Sequence, residues 1–153
     1  MSTVFFTDRD LGAKMFPGRL RAGGLTVEVH NDHFAPDALD EDWLPVVAGF
    51  GWVVLTNDQK IMRRALERDA LMTAGAAAFV LVGGDAPASE LADNFLNTVG
   101  RVDTILETVE RPFIAKVYRP SPKTLIAAGR AGSVDVKLTL ANWTPQALPG
   151  GAS

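Results

Sequence analysis

The stretch Gly51-Trp-Val-Val-Leu-Thr-Asn-Asp58 is the feature that most limits what this chain can fold into. Trp52 to Leu55 is an apolar run with no polar alternation, the mark of a strand buried on both faces. Thr56-Asn57-Asp58 then carries a carboxylate to the rim of the sheet. Near the N-terminus the pattern recurs, with Val4-Phe5-Phe6 running into Thr7-Asp8-Arg9-Asp10. Two buried strands, each ending in Thr and then acid, predict a carboxylate cluster at one edge.

The rest of the chain alternates between the two periodicities. A strand over 3–7 is followed by helical spacing at Leu11, Met15, Phe16 and Leu20, with Pro17 predicting a kink or two short pieces. Gly23-Gly24 stops it, and Leu25 to His30 alternates as a second strand. After an irregular segment, Asp40-Glu41-Asp42 opens a helix with apolar positions 43, 44, 47 and 50, its acids suited to the positive end of the helix dipole. The strand 52–55 leads to Asp58 and a basic helical region to about Thr73, carrying Lys60, Arg63, Arg64 and Arg68. Ala77 to Val82 is a buried strand ended by a Gly83-Gly84 turn. Ser89 is placed to cap a helix to about Glu107. Phe113 to Tyr118 is a fifth strand, Val134 to Leu140 alternates as a terminal antiparallel strand, and Pro145 to Ser153 reads as a loose tail.

Strands alternating with helices, and buried on both faces, define an α/β fold, a three-layer sandwich around a mainly parallel sheet. In such sheets functional groups gather beyond the carboxyl ends of the strands. Asp8, Asp10, Asp58 and Asp85 all follow directly on a strand.

Composition narrows the function classes. With 153 residues, 47% hydrophobic and 22% charged, the chain is expected to be one domain with a real core. The absence of cysteine removes disulfides, thiolate metal sites and a cysteine nucleophile. A net charge of −3 argues against a generic polyanion-binding surface while leaving room for a local basic patch. With no signal-like N-terminus and no apolar run near the roughly 20 residues that span a bilayer, the expectation is a cytoplasmic protein with no membrane contact.

Two carboxylates about 4 Å apart repel by roughly 4 kcal/mol at an effective dielectric of 20. A protein that gathers them needs a compensating cation or proton. Hard oxygen donors without His or Cys suit Mg²⁺ or Mn²⁺, which activates water and stabilises charge on a phosphodiester. The plainer reading of each acid is a helix cap, Asp10 for the first helix and Asp58 for the third.

Phe5-Phe-Thr-Asp8-Arg-Asp-Leu11, His30-Asn-Asp-His-Phe34, Asp40-Glu-Asp-Trp-Leu44 and Val53-Val-Leu-Thr-Asn-Asp-Gln-Lys60, in that order, resemble the PIN-like family. The likeness is to its compact branch, related to VapC-type toxins. It covers roughly residues 3–82, with a weaker echo in Pro112-Phe-Ile-Ala-Lys-Val-Tyr118. The resemblance implies a metal-dependent ribonuclease over 1–119, with 120–153 as a C-terminal extension. It implies Asp8, Asp58 and Asp40 or Glu41 as catalytic acids. Asp8 and Asp58 would bind Mg²⁺ or Mn²⁺ directly, and Asp40 or Glu41 directly or through water. Asp85 is the counterpart proposed for a fourth acid of larger PIN domains. The expected partners are an RNA substrate, a protein antitoxin and a second copy of the chain. Lys14, Lys60, Arg63 and Arg64 are the candidates for holding the RNA backbone, against the reading of a solvated helix face.

Two other readings compete. Asp8-x-Asp10 with Gly84-Asp85 resembles the haloacid dehalogenase-like phosphatases, with Asp8 as nucleophile, but no lysine precedes Asp85 within residues 69–84. The alternative outside enzymes is a catalytically inactive PIN-like binding module. His30 and His33 with Asp32 are read as structural rather than metal-binding, Trp43 and Trp52 as core, and Trp143 as a surface residue facing a partner.

Overall fold

The computed structural model describes residues 3–83 and 85–145. Its centre is a six-stranded sheet of β1 (Val4–Thr7), β2 (Thr26–Val29), β3 (Val53–Thr56), β4 (Ala77–Leu81), β5 (Phe113–Tyr118) and β6 (Ser133–Thr139), ordered β2-β1-β3-β4-β5-β6. All neighbours are parallel except β6, which runs antiparallel to β5 with a bulge between Ile114 and Ala115. The four main helices are α1 (Met15–Ala22), α2 (Asp40–Gly49), α3 (Ala65–Ala74) and α4 (Ala88–Thr108).

The unbroken apolar strands act through their period of two. Phe5, Val53, Leu55, Phe79, Phe113 and Ala115 face one layer, where α1 and α4 bury Phe16, Leu20, Leu91 and Phe95 against them. Phe6, Val54, Ala78, Val80 and Ile114 face the other, under Trp43, Leu44 and Val47 of α2 and Leu71 and Met72 of α3. A sheet covered on both sides has no solvent-facing surface, so it needs no polar alternation. The three-layer sandwich is the expected one.

Local details depart from the expectations where backbone chemistry intervenes. The first helical stretch is two pieces, a 3₁₀ turn at Arg9–Leu11 and then α1. Pro17 lies in the first turn of α1, where its missing N–H costs no helical bond. Asp10 therefore caps nothing in α1, whose N-cap position is held by Lys14 with no side-chain cap bond. Asp58 caps the short 3₁₀ turn Gln59–Met62 and not α3. Ser89 is not the cap of α4 either: Pro87 holds that place and Ser89 falls in the first turn. Trp143 faces the protein, packing against the α2/α3 layer and donating its indole N–H to Asp69 at 2.8 Å. The expected loose tail lies outside the described residues apart from Pro145. Among the described residues no helix is long and apolar enough to cross a membrane.

The aromatic contact that ties α4 to the sheet is Phe5–Phe95, edge to face at 5.3 Å, with both rings buried. Replacing Phe95 with Ala removes that ring from a closed layer and should cost about 3–5 kcal/mol, read as a lower urea midpoint with an unchanged slope.

Candidate active site at the carboxyl edge of the sheet

The strand order reverses at β1, so the connections leaving β1 and β3 depart on opposite faces, to α1 and to α3. A crevice opens beyond the carboxyl ends of two such strands. The β1–β3 register pairs Thr7 with Leu55, and one further bond, Asp8 N–H to Leu55 O at 3.0 Å, carries the ladder past the strand end. That places Asp8 beside Thr56.

Thr56 is 1% exposed and its hydroxyl serves two partners: it donates to Asp8 Oδ2 at 3.0 Å and accepts from the Asp58 backbone N–H at 3.1 Å. Asp58 Oδ1 accepts from Lys60 N–H at 3.0 Å, and its Oδ2 takes the Arg64 guanidinium at 3.2 Å. Asp40, the first residue of α2, accepts the Trp43 indole N–H on Oδ1 at 3.0 Å. Asp8, Asp40 and Asp58 line one small cleft of about 20 Å³ together with Thr56, Trp43 and Glu67. The space matches a single water-sized species, since a water needs roughly 10–15 Å³.

Burial holds the Asp8 carboxyl above its ordinary value, and Asp10 and Asp40 push it the same way, while the Thr56 hydroxyl and the Arg9 backbone oppose them. Asp40 and Glu41 are separated by the structure: Asp40 lines the cleft, whereas Glu41 is exposed and lines the adjoining groove between α2 and α3. Asp85 is exposed and does not line the cleft, so the acid that the phosphatase reading sets beside Asp8 stands apart from it.

The basic residues divide as well. Arg64 is tied to Asp58 and lies 3.5 Å from Glu67, so it balances the acids of the cleft. Arg64 is itself exposed, as are Lys14, Lys60 and Arg63, which lie close in sequence to the ends of β1 and β3. His30 is fully buried against Phe6, Phe34 and Trp43, and His33 pairs with Glu28 at 2.7 Å, so neither joins the acids.

The carboxylates are not drawn onto a single point. Among the described residues, no three His, Asp or Glu side chains already enclose a site for an ion. The donor set nonetheless fits a hard divalent cation, since every cleft side chain able to coordinate offers oxygen; Glu67, one of the lining residues, has a buried Oε2 without a hydrogen-bond partner. Sequence reading passed over Glu67. Its signal was the (i, i+3) spacing to Arg64 in the turn after Asp58, too common on helices to stand out. In sequence Thr56 is marked only as a strand ending, and Thr7, its counterpart on β1, has a buried hydroxyl with no partner.

With this geometry in place the comparisons converge. A PIN like domain family model matches residues 3–83, more than half of the chain, and the chain belongs to that family. It is also 29% identical over 101 residues to a protein of Mycobacterium tuberculosis (strain ATCC 25618 / H37Rv) named "Putative ribonuclease VapC45", covering 63% of this chain and 73% of the relative. No solved structure matches significantly.

Two measurements follow from the cleft. Thr56→Val keeps the shape but removes the shared hydroxyl, and should lower stability by about 1–3 kcal/mol in chemical unfolding. Asp8 holds its proton to higher pH folded than unfolded, so folding binds a proton and stability falls as pH rises from 3.8 through the raised value. With a chelator present, Asp8→Asn should unfold at a higher temperature than wild type at neutral pH, and that advantage should vanish below pH 3.8.

Proposed function

We propose that this protein is a metal-dependent endoribonuclease of the toxin type, with its site at the Asp8–Asp40–Asp58 cleft. The observation that carries the reading is the coupling of Asp8 and Asp58 through Thr56 at the switch point of the sheet. The name of the mycobacterial relative supports RNA as the substrate class. In this reading Asp8, Asp40 and Asp58 hold Mg²⁺ or Mn²⁺, with Asp40 preferred to Glu41 because Asp40 lines the cleft. When bound, such an ion lowers the pKa of water and stabilises charge on the scissile phosphodiester.

The chain's own residues do the rest. Thr56 orients Asp8 and keeps one of its oxygens engaged; Lys60 N–H fixes Asp58; Trp43 fixes Asp40. Val54, Ile61 and Leu71 form the apolar wall of the cleft and limit its water. Lys14, Lys60 and Arg63 hold RNA phosphates from the exposed edge, sequence-independently. Arg64 is assigned to charge balance in the cleft and not to the RNA backbone. The catalytic unit is residues 1–119; the described part of the extension adds β6 beyond β5 and does not line the cleft. A protein antitoxin belongs to the same reading. The groove of about 460 Å³ beside the acids, flanked by exposed Leu39 and Leu66, supports a partner that covers the edge.

Asp58→Asn retains an oxygen to accept Lys60 N–H and should change folding stability by no more than about 1 kcal/mol. Cleavage of a single-stranded RNA in Mg²⁺ or Mn²⁺ should be abolished in this variant, and in wild type treated with EDTA. Wild-type rates in the variant would refute the site.

A further inference from the structure

Asp8 and Asp40 reach the cleft from separate segments, and Arg9 touches both segments. Its backbone is fixed in the 3₁₀ turn that continues β1, where Leu11 N–H bonds Asp8 O and Gly12 N–H bonds Arg9 O, each at 3.0 Å. The Arg9 N–H also donates to the Asp8 carboxylate. Its side chain reaches 27 residues along the chain, where Nη1 donates to Pro36 O and lies 3.4 Å from Ala38 O. Those two carbonyls belong to the irregular segment that delivers Asp40, with Leu39 at the N-cap position of α2. Among the described residues, the hydrogen bonds that tie residues 34–39 to the end of β1 are those of Arg9. An arginine set between Asp8 and Asp10 in sequence would ordinarily pair with an acid. Among the described residues it pairs with none, and its donor goes to the segment before α2 instead.

The rest of α2 leaves its first turn in need of such a tie. Trp43, Leu44 and Val47 bury the helix on the sheet, but Glu41 and Asp42 are exposed and Asp40 is half-buried. The Trp43 indole orients the Asp40 carboxyl, yet both residues belong to α2, so that bond does not set how the turn stands toward β1. We propose that Arg9 is a positioning residue of the site, whose side chain holds the 36–38 segment against the end of β1 and so sets where Asp40 stands relative to Asp8. The inference rests on the divalent-cation reading above and adds to it a residue that does not touch the ion. Charge and placement here act with opposite signs. As a cation, Arg9 disfavours a divalent ion nearby, so by charge alone its removal tightens binding. As a tie between two ligand-bearing segments it favours binding, so its removal weakens it.

Calorimetric titration of the full chain with Mn²⁺ alone, at a temperature where each variant is folded, reads that sign without reference to cleavage. Arg9→Ala should weaken Mn²⁺ binding by about 10-fold, the lower end of what partners of metal ligands contribute. Arg9→Lys, which restores a donor and the charge, should recover part of the loss. Arg9→Gln, a neutral side chain with an N–H donor, should also bind more weakly than wild type, and it serves as the reading if Arg9→Ala does not fold. Arg21→Ala removes an arginine that likewise donates to a carbonyl, Val27 O at 2.7 Å, away from the cleft. It should lower the unfolding midpoint and bind Mn²⁺ as wild type does. A merely structural Arg9 would behave as Arg21 does. Unchanged or tighter Mn²⁺ binding by the Arg9 variants, beside clear binding by wild type, would overturn the proposal while sparing the three-acid site. Absence of Mn²⁺ binding by wild type itself would instead overturn the divalent-cation reading, and this inference with it.

Discussion

The hydroxyl of Thr56 is the interaction on which the acidic edge depends. It stands between two carboxyl-bearing residues, donating to one side chain and accepting from the backbone of the other. A hydroxyl has one proton and two lone pairs, so it can serve both roles at once. Buried at the end of a strand, it has no water to exchange for either partner. The result couples the end of β1 to the turn after β3 and puts Asp8 and Asp58 on one small cleft. A hydrogen bond to a charged acceptor contributes about 1.5–3 kcal/mol, part of which offsets the cost of burying Asp8.

The helices of one layer supply the remaining acids. Asp40 is the first residue of α2 and Glu67 lies in the first turn of α3, and both helices begin at the carboxyl edge of the sheet. Their positive ends favour nearby anions by about 0.3–1 kcal/mol each, less than the repulsion between close carboxylates. The helix dipoles therefore ease the gathering of charge without neutralising it. Burial wins at Asp8, whose carboxyl is held above its ordinary value despite the Thr56 bond. Burying Asp8 beside other acids therefore costs stability at this edge at neutral pH.

The C-terminal extension acts on the same layer from farther away. β6 covers the edge of β5, and Trp143 then packs against the core layer under α2 and α3, with its N–H on Asp69 of α3. Trp43 and Trp143 thus use a similar device: one ring is buried and the other half-buried, and each indole N–H is donated to an aspartate. One fixes Asp40 at the cleft, and the other fastens α3, which carries Glu67 and follows directly on Arg64.

Much of this was legible without coordinates. Short apolar runs without alternation, rich in β-branched and aromatic residues or ended by glycine, fit strands covered on both faces, so the layered sheet followed from Val4-Phe5-Phe6, Trp52 to Leu55 and Ala77 to Val82. Strand ends carrying Asp8 and Asp58 were legible for the same reason, because a parallel sheet gathers its chemistry at one edge. Tertiary structure decided what local pattern leaves open. Asp40 and Glu41 are neighbours in sequence, and only the pitch of α2 across the sheet puts one in the cleft and the other on the outer groove. Arg64 is an exposed cation, as its helical pattern implies, but only the fold pairs it with Asp58, and Trp143 packs on the α2/α3 layer although nothing in the pattern around it marks a core residue. Glu67 had no strand end or motif to mark it, because its place is set by the turn between β3 and α3. Periodicity determines which face a residue takes, whereas contacts between distant segments determine which charges meet.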